Sequence, residues 1–153
     1  TPYTHIHSYL NIPDTSGRDS LFQAESRRCK EILDIIKVYN GEQYRHFCIF
    51  DELYSGTNPD EASKSGYAFL KYLANFGNVN FILTTHYVSI CKKFKDSEHI
   101  QNYKMGVNVL DNGKFEYTYK IKKGISKIKG AVRVLKDMDY PGEIIDTIES
   151  QSK

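Results

Sequence analysis

The sequence predicts an α/β fold: a mostly parallel sheet with helices on both faces, three layers in all, and an antiparallel hairpin. Three observations predict it. Phe47–Phe50 (FCIF) is a short continuous apolar run, and Val79–Thr85 (VNFILTT) is a second. Runs this short and apolar suit strands buried on both faces of a parallel sheet, and each precedes a helix-forming segment. Near the other end, Asp111-Asn112-Gly113 separates two β-rich runs, Ile100–Val109 and Lys114–Ile121, which is a hairpin signal.

The elements follow in order. Tyr3–Leu10 is rich in β-formers and reads as a strand. His5 and His7 share one of its faces; with no third ligand nearby they read as two surface histidines rather than a metal pair. Asn11–Gly17 is a loop. Asp19 or Ser20 caps a helix running to about Tyr39, with Leu21, Phe22, Ile32, Leu33, Ile35 and Ile36 as its apolar positions. Glu25, Arg27, Arg28, Lys30 and Glu31 are its charged ones. Asn40-Gly41 ends this helix. After the Phe47–Phe50 strand, Pro59 at a first helical position and the acids Asp60 and Glu61 open a helix to Phe76. Ala62, Ala68, Phe69 and Leu73 are its expected inner side, and Gly77-Asn78 stops it. Val88–Phe94 is a short helix. No repeat or low-complexity segment interrupts residues 1–153, which read as a single domain.

Composition narrows the class without naming a function. Forty per cent hydrophobic and 26% charged residues describe an ordinary globular domain. A net charge of +2 marks no dominant basic face for nucleic acid. Cys29, Cys48 and Cys91 have neither metal-ligand nor CxxC spacing and read as free thiols of a reducing compartment. No run is long and apolar enough to span a membrane, and no stretch reads as a signal peptide. The lysines at 120, 122, 123, 127 and 129 could meet phosphates, although such a run ordinarily forms a solvated face.

Chemistry-bearing residues gather at strand ends. The Phe47–Phe50 run stops at two adjacent acids, Asp51 and Glu52, and open α/β sheets bind ligands beyond the carboxyl ends of their strands. Adjacent acids there can divide the work of holding a divalent cation and orienting a water; the ordinary alternative is an acidic helix cap. His86, ending the Val79–Thr85 run, is well placed to hydrogen-bond a transferring phosphoryl group. Ser20, at a helix start, brings a hydroxyl to free N–H groups, a ready anion site or a plain cap.

Four stretches together resemble the MutS family of mismatch-repair ATPases. DELYSGTNPDEA from Asp51 is similar to the family's DE-x-x-x-GT segment. SGRDSLFQAESRRCKEIL keeps Ser20, Phe22 and Glu25 of its signature segment, with Leu21 for Thr, Gln23 for Met, and Asp19 between Gly17 and Ser20. VNFILTTHY ends in the family's switch His. YTYKIKKGISKIKGAVRVLKDMDYPGEIIDTI holds the spacing of Gly124, Gly130, Val134, Tyr140-Pro141 and Ile144-Ile145, with Ile128-Lys129-Gly130 and Met138-Asp139 departing from the usual pattern.

The resemblance implies a P-loop NTPase fold of the ABC-ATPase type, using ATP and Mg²⁺. Asp51 would hold the metal, Glu52 would position water and His86 would sense the γ-phosphate. Ser20, Ser55, Gly56, Thr57 and Asn58 would complete the site of a partner subunit, and Tyr119 would lie near the adenine. It also implies a homo- or heterodimer of MutS-like subunits that engages mismatched double-stranded DNA through regions outside this chain, in an intracellular, cytoplasmic or nuclear, setting. No P-loop motif occurs in the 153 residues. The resemblance places it upstream, so the chain reads as an incomplete C-terminal portion, expected alone to bind ATP no tighter than about millimolar. Two other readings stand beside this one: another ABC-type ATPase, whose LSGGQ-like signature is missing here, and a non-hydrolysing interaction module that keeps the fold.

Overall fold

Three parallel strands, β1 (His5–Tyr9), β2 (His46–Asp51) and β3 (Val79–Thr84), form a sheet in that order. The computed structural model describes residues 2–10, 12, 20–111, 115–128 and 130–151. It divides into two compact units, Thr1–Gln101 and Asn102–Lys153.

In the first unit, α1 (Leu21–Val38) starts at Ser20, whose side chain accepts from the Gln23 N–H while the Gln23 side chain accepts from the Ser20 N–H, a full capping box. α2 (Pro59–Leu73) starts at Asn58, which accepts from the Glu61 N–H, with Pro59 at its first position. α3 (Val88–Lys93) follows β3. Buried residues of all three helices join Tyr9, Cys48 and Phe50 in one core, in which Phe50 meets Phe69 edge-on at 5.5 Å.

Register explains which face is used. His7, Cys48 and Phe81 lie abreast, as do Tyr9, Phe50 and Leu83, and this face meets the helices. The other face carries Ile6, 71% exposed, and Ile82, 57% exposed, flanking the half-buried Phe47 and Ile49. Tyr3 lies against it, its ring 5.1 Å from Phe47 and its hydroxyl donating to Asn80 Oδ1 at 3.2 Å. Within this unit the sheet is therefore covered by helices on one face only, and the expected third layer is not met among its described residues. For the same reason β3 is not a strand buried on both faces: its residues alternate half-buried and exposed.

Three smaller expectations are corrected. The stripe of α1 that faces the core is Glu25, Cys29, Ile32 and Ile36, while Ile35 points to solvent. On α2 the inner positions are Ala62, Ser63, Gly66, Phe69, Leu70 and Leu73; Ala68 is exposed. Gly66 is small because the Ile90 side chain of α3 packs over it, 3.0 Å from where a Cβ would sit. His7 is not a surface residue. It is buried and hydrogen-bonded to His46. The cysteines are free thiols, and burial pushes Cys29 up to about 11 and Cys48 up to about 12, which makes them packing residues.

In the second unit, β4 (Tyr103–Val109) and β5 (Phe115–Lys123) pair antiparallel. The expected turn residues Asn112 and Gly113 lie outside the described residues, as do Gly17, Asp19 and Lys129. β5 bulges between its pairings with Met105 and Val107. There the Thr118 hydroxyl donates to the Gly106 carbonyl at 2.8 Å, and a Cβ on Gly106 would lie 2.5 Å from it. Two helices, α4 (Gly130–Asp137) and α5 (Gly142–Ser150), pack on each other, joined by the Lys136–Glu149 ion pair at 2.6 Å. Among the described residues no helix is long and apolar enough to cross a membrane.

Candidate active site at the carboxyl edge of the parallel sheet

Asp51 is the last residue of β2 and stands opposite Thr84, the last of β3. The Thr84 hydroxyl donates to Asp51 Oδ1. One residue on, the Glu52 N–H still bonds to the Thr84 carbonyl at 3.0 Å, so the ladder carries both acids to the sheet edge. There the backbone turns sharply: Glu52 (φ 52°) and Tyr54 (φ 59°) adopt left-handed conformations without being glycine. Such residues cost about 1–3 kcal/mol each and persist only where their surroundings hold them.

His86 lies just beyond β3. Its Nε2 is 2.8 Å from Glu52 Oε1, with side chains 88% and 45% exposed. The Thr85 hydroxyl oxygen accepts from the Tyr87 N–H at 3.0 Å, fixing the turn that carries the ring. The adjacent Asp51 and Glu52 and, from the next strand, His86 thus lie at one edge. An exposed pair of this kind contributes at most about 1 kcal/mol to stability.

The loop after Glu52 is held from beneath. Glu25, only 1% exposed, accepts three hydrogen bonds from it: Ser55 N at 2.9 Å and Ser55 Oγ at 2.8 Å on Oε1, and Gly56 N at 3.0 Å on Oε2. The Tyr54 N–H donates to the Tyr9 hydroxyl at 3.2 Å. Burial, reinforced by the nearby Glu25 charge, raises the Tyr9 phenol well above its ordinary range, so it stays neutral. Thr57 Oγ1 donates to Glu61 at 2.7 Å, and Asn58 is committed to capping α2. Ser20 is exposed at the start of α1, its Oγ 3.3 Å from the Gln23 nitrogen. Tyr119 is carried by the second unit, at the β5 bulge, with a left-handed backbone (φ 53°) and 84% of its surface exposed.

A cavity of about 160 Å³ opens here, lined by Tyr9, Ile12, Glu25, Asp51, Glu52 and Ser55. Its oxygen-rich wall suits a hard divalent cation such as Mg²⁺, which takes one or two carboxylates and leaves its other positions to water and phosphate. Among the described residues no group of three His, Cys, Asp or Glu is arranged to enclose an ion by itself. The cavity falls below the roughly 300–1,000 Å³ typical of sites that hold a whole small molecule.

The model of MutS domain V matches residues 10–153. The chain belongs to the MutS domain V family. It is 27% identical over 127 residues to the DNA mismatch repair protein MutS of Aquifex pyrophilus, covering 83% of this chain and 15% of that protein. It is 24% identical over 144 residues to the endonuclease MutS2 of Streptococcus uberis, covering 94% of this chain and 18% of the relative. To the endonuclease MutS2 of Agathobacter rectalis it is 25% identical over 138 residues, 90% of this chain and 17% of the relative. The chain thus spans less than a fifth of the length of these relatives.

Two residues at this edge, Thr84 and Glu25, have no site role in the sequence alone, although Glu25 is a kept residue of the signature segment. Thr84 emerges only from the β2–β3 register. Glu25 had a signal: it sits on the same helical stripe as Cys29, Ile32 and Ile36, where a carboxylate has no reason to be unless it is bonded.

Proposed function

We propose that this chain is the hydrolytic part of a MutS-type ATPase domain with a P-loop NTPase fold, whose Mg²⁺-dependent ATP hydrolysis drives dimer changes coupled to mismatched-DNA binding. The observation that carries the reading is the pairing at the sheet edge, Asp51 with Thr84 and Glu52 with His86, on adjacent parallel strands of a chain in this family. Bound Mg²⁺ would supply charge neutralisation at the transferred phosphoryl group. Asp51, with one oxygen occupied by the Thr84 hydroxyl, keeps its other oxygen for the metal or a metal-bound water. Glu52 is the base or water-orienting group. His86 has one Nε2 position, now directed to Glu52; when that position turns to a phosphoryl oxygen, the Glu52 carboxylate is released to take a water.

Ser20 and Ser55–Asn58 contribute to the neighbouring subunit's site, and Tyr119 supplies an aromatic face to the adenine. The coupling between ATP and DNA is a free-energy linkage between two sites. The protein works inside the cell. The test is Mg-ATP turnover by the full-length protein. Wild type is expected to hydrolyse ATP only with a divalent cation, and Asp51→Asn to lose turnover by about 10² or more. Metal-independent turnover, or an Asp51→Asn variant as active as wild type, would remove Asp51 from the metal site.

A further inference from the structure

We propose that Glu25 is a positioning residue for hydrolysis: its buried carboxylate locks the Ser55-Gly56 backbone to α1, so that the start of α1, the loop and the acid pair act as one body. This rests on the ATPase reading above.

Three observations carry it. First, Glu25 is buried on the apolar stripe of α1, and its two oxygens take three donors from two consecutive loop residues at 2.8–3.0 Å. Charge-assisted bonds of this kind are short and strong, and a buried carboxylate deprived of them is costly. The side chain therefore dictates where the loop lies. Second, the loop backbone rests directly on the first turn of α1. A Cβ at Gly56 would come 2.6 Å from the Phe22 nitrogen and 2.8 Å from Leu21 Cβ, so only glycine permits this approach. Third, the turn between β2 and the loop is strained at Glu52 and Tyr54 and pinned at both ends. On one side the Glu52 N–H is tied to Thr84. On the other, Tyr54 is tied through its N–H to Tyr9, and its ring lies 5.7 Å from Phe22 and 6.3 Å from Phe69.

Glu25 is the charged group beneath this turn, five residues along α1 from the Ser20 cap and joined to the loop three residues after Glu52. Any displacement of the α1 start, where the proposed trans serine sits, is transmitted through Glu25 to the base. An amide in its place keeps the shape of the side chain but turns an N–H₂ toward one of the loop's N–H donors.

The experiment uses the full-length protein. Glu25→Gln is expected to lower kcat about tenfold or more with the KM for ATP within about twofold, since the lost interaction bears on the transition state and not on nucleotide binding. Hydrogen exchange at the Ser55 and Gly56 amides should quicken while that of β2 stays as in wild type. Glu25→Asp, which keeps both acceptors, should recover part of kcat. Ser55→Ala removes one donor from an exposed position and should lower kcat about threefold; combined with Glu25→Gln it should add nothing, because both act through one contact. A Glu25→Gln variant with wild-type kcat, or one that raises KM and quickens exchange throughout the core, overturns the proposal. So do additive losses in the double variant. If Glu25→Gln does not fold, Ser55→Ala decides, and unchanged kcat there overturns it. A wild-type protein without Mg-ATP turnover sinks the ATPase reading and this one with it, whereas turnover indifferent to Glu25 sinks this one alone.

Discussion

The two ends of the same parallel sheet both carry histidines, and they use them in opposite ways. At the amino end, His5, His7 and His46 stack, with ring centroids 4.8 Å apart for His5–His46 and 5.2 Å for His7–His46. His46 Nε2 lies 2.8 Å from the Tyr39 carbonyl, which can only accept, so this nitrogen carries the proton. The other ring nitrogen of His46, Nδ1, shares a hydrogen bond with His7 Nε2, 2.9 Å away. Burial, with the nearby His46, His5 and Arg28, lowers His7 to about 4. Every polar atom of His46 is used by the fold. At the carboxyl end, His86 and Glu52 touch each other but stay open to solvent, with valences to spare. The difference teaches that a histidine beside a sheet becomes structural when its partners and the helices enclose it, and remains usable for chemistry when only one partner holds it.

Breaking the open end should cost activity without stability. Glu52→Gln in the full-length protein is expected to keep nucleotide binding and lose turnover by about 10²–10⁴, roughly 3–5 kcal/mol of barrier. Steady-state hydrolysis beside a denaturant melt checks it; near-normal turnover would return Glu52 to a cap residue. Breaking the closed end should do the reverse. His46→Ala leaves a cavity, strands the His7 nitrogen and leaves the Tyr39 carbonyl only its longer bond from Asn78 Nδ2 at 3.4 Å, for an expected loss of about 3 kcal/mol of stability in a urea titration. A loss under about 1 kcal/mol would mean that the stack is not the keystone of that edge.

Acid sharpens the contrast. His7 binds its proton at about 4 when folded and near 6.5 when unfolded, so between these values the unfolded state holds more protons. Stability should therefore be intact above about pH 6.5 and fall with acidification toward pH 4, by about 2 kcal/mol between pH 7 and pH 5. His7→Gln should flatten that segment of the profile, and an unchanged slope would assign it to other groups. The smallest effect is at Ser20, where Ser20→Ala removes half of the capping box and should cost about 1 kcal/mol. A loss of turnover well beyond what that destabilisation explains would support its role in the neighbouring subunit's site; normal turnover would leave it a cap.

The candidate site was legible wherever it depended on a strand's end. Asp51, Glu52 and His86 follow apolar runs whose length and composition mark them as strands, and a parallel sheet brings such ends to one edge. Ser20 and Pro59 were legible as helix starts because capping is a local interaction. The rest needed neighbours. Thr84 faces Asp51 only because β3 pairs with β2 in that register. Ala68 and Gly66 are both small, and the docking of α3 alone decides that Gly66 is the covered one. His7 was read as exposed because its hydrogen-bond partner, His46, is 39 residues away in sequence.

From the residues alone follow the order of the strands and of α1 to α3 and the family to which their pattern belongs, but not the helices α4 and α5. Each of these rests on periodicity, capping and short motifs, which act within a few residues. Only the tertiary structure decided which face of the sheet is covered, that Glu25 is buried under the loop and not on the solvent side of α1, and that one histidine end is sealed while the other is open. Those outcomes follow from strand register and helix docking, which join residues tens of positions apart and set, through burial, whether a polar group is spent on the fold or left for chemistry.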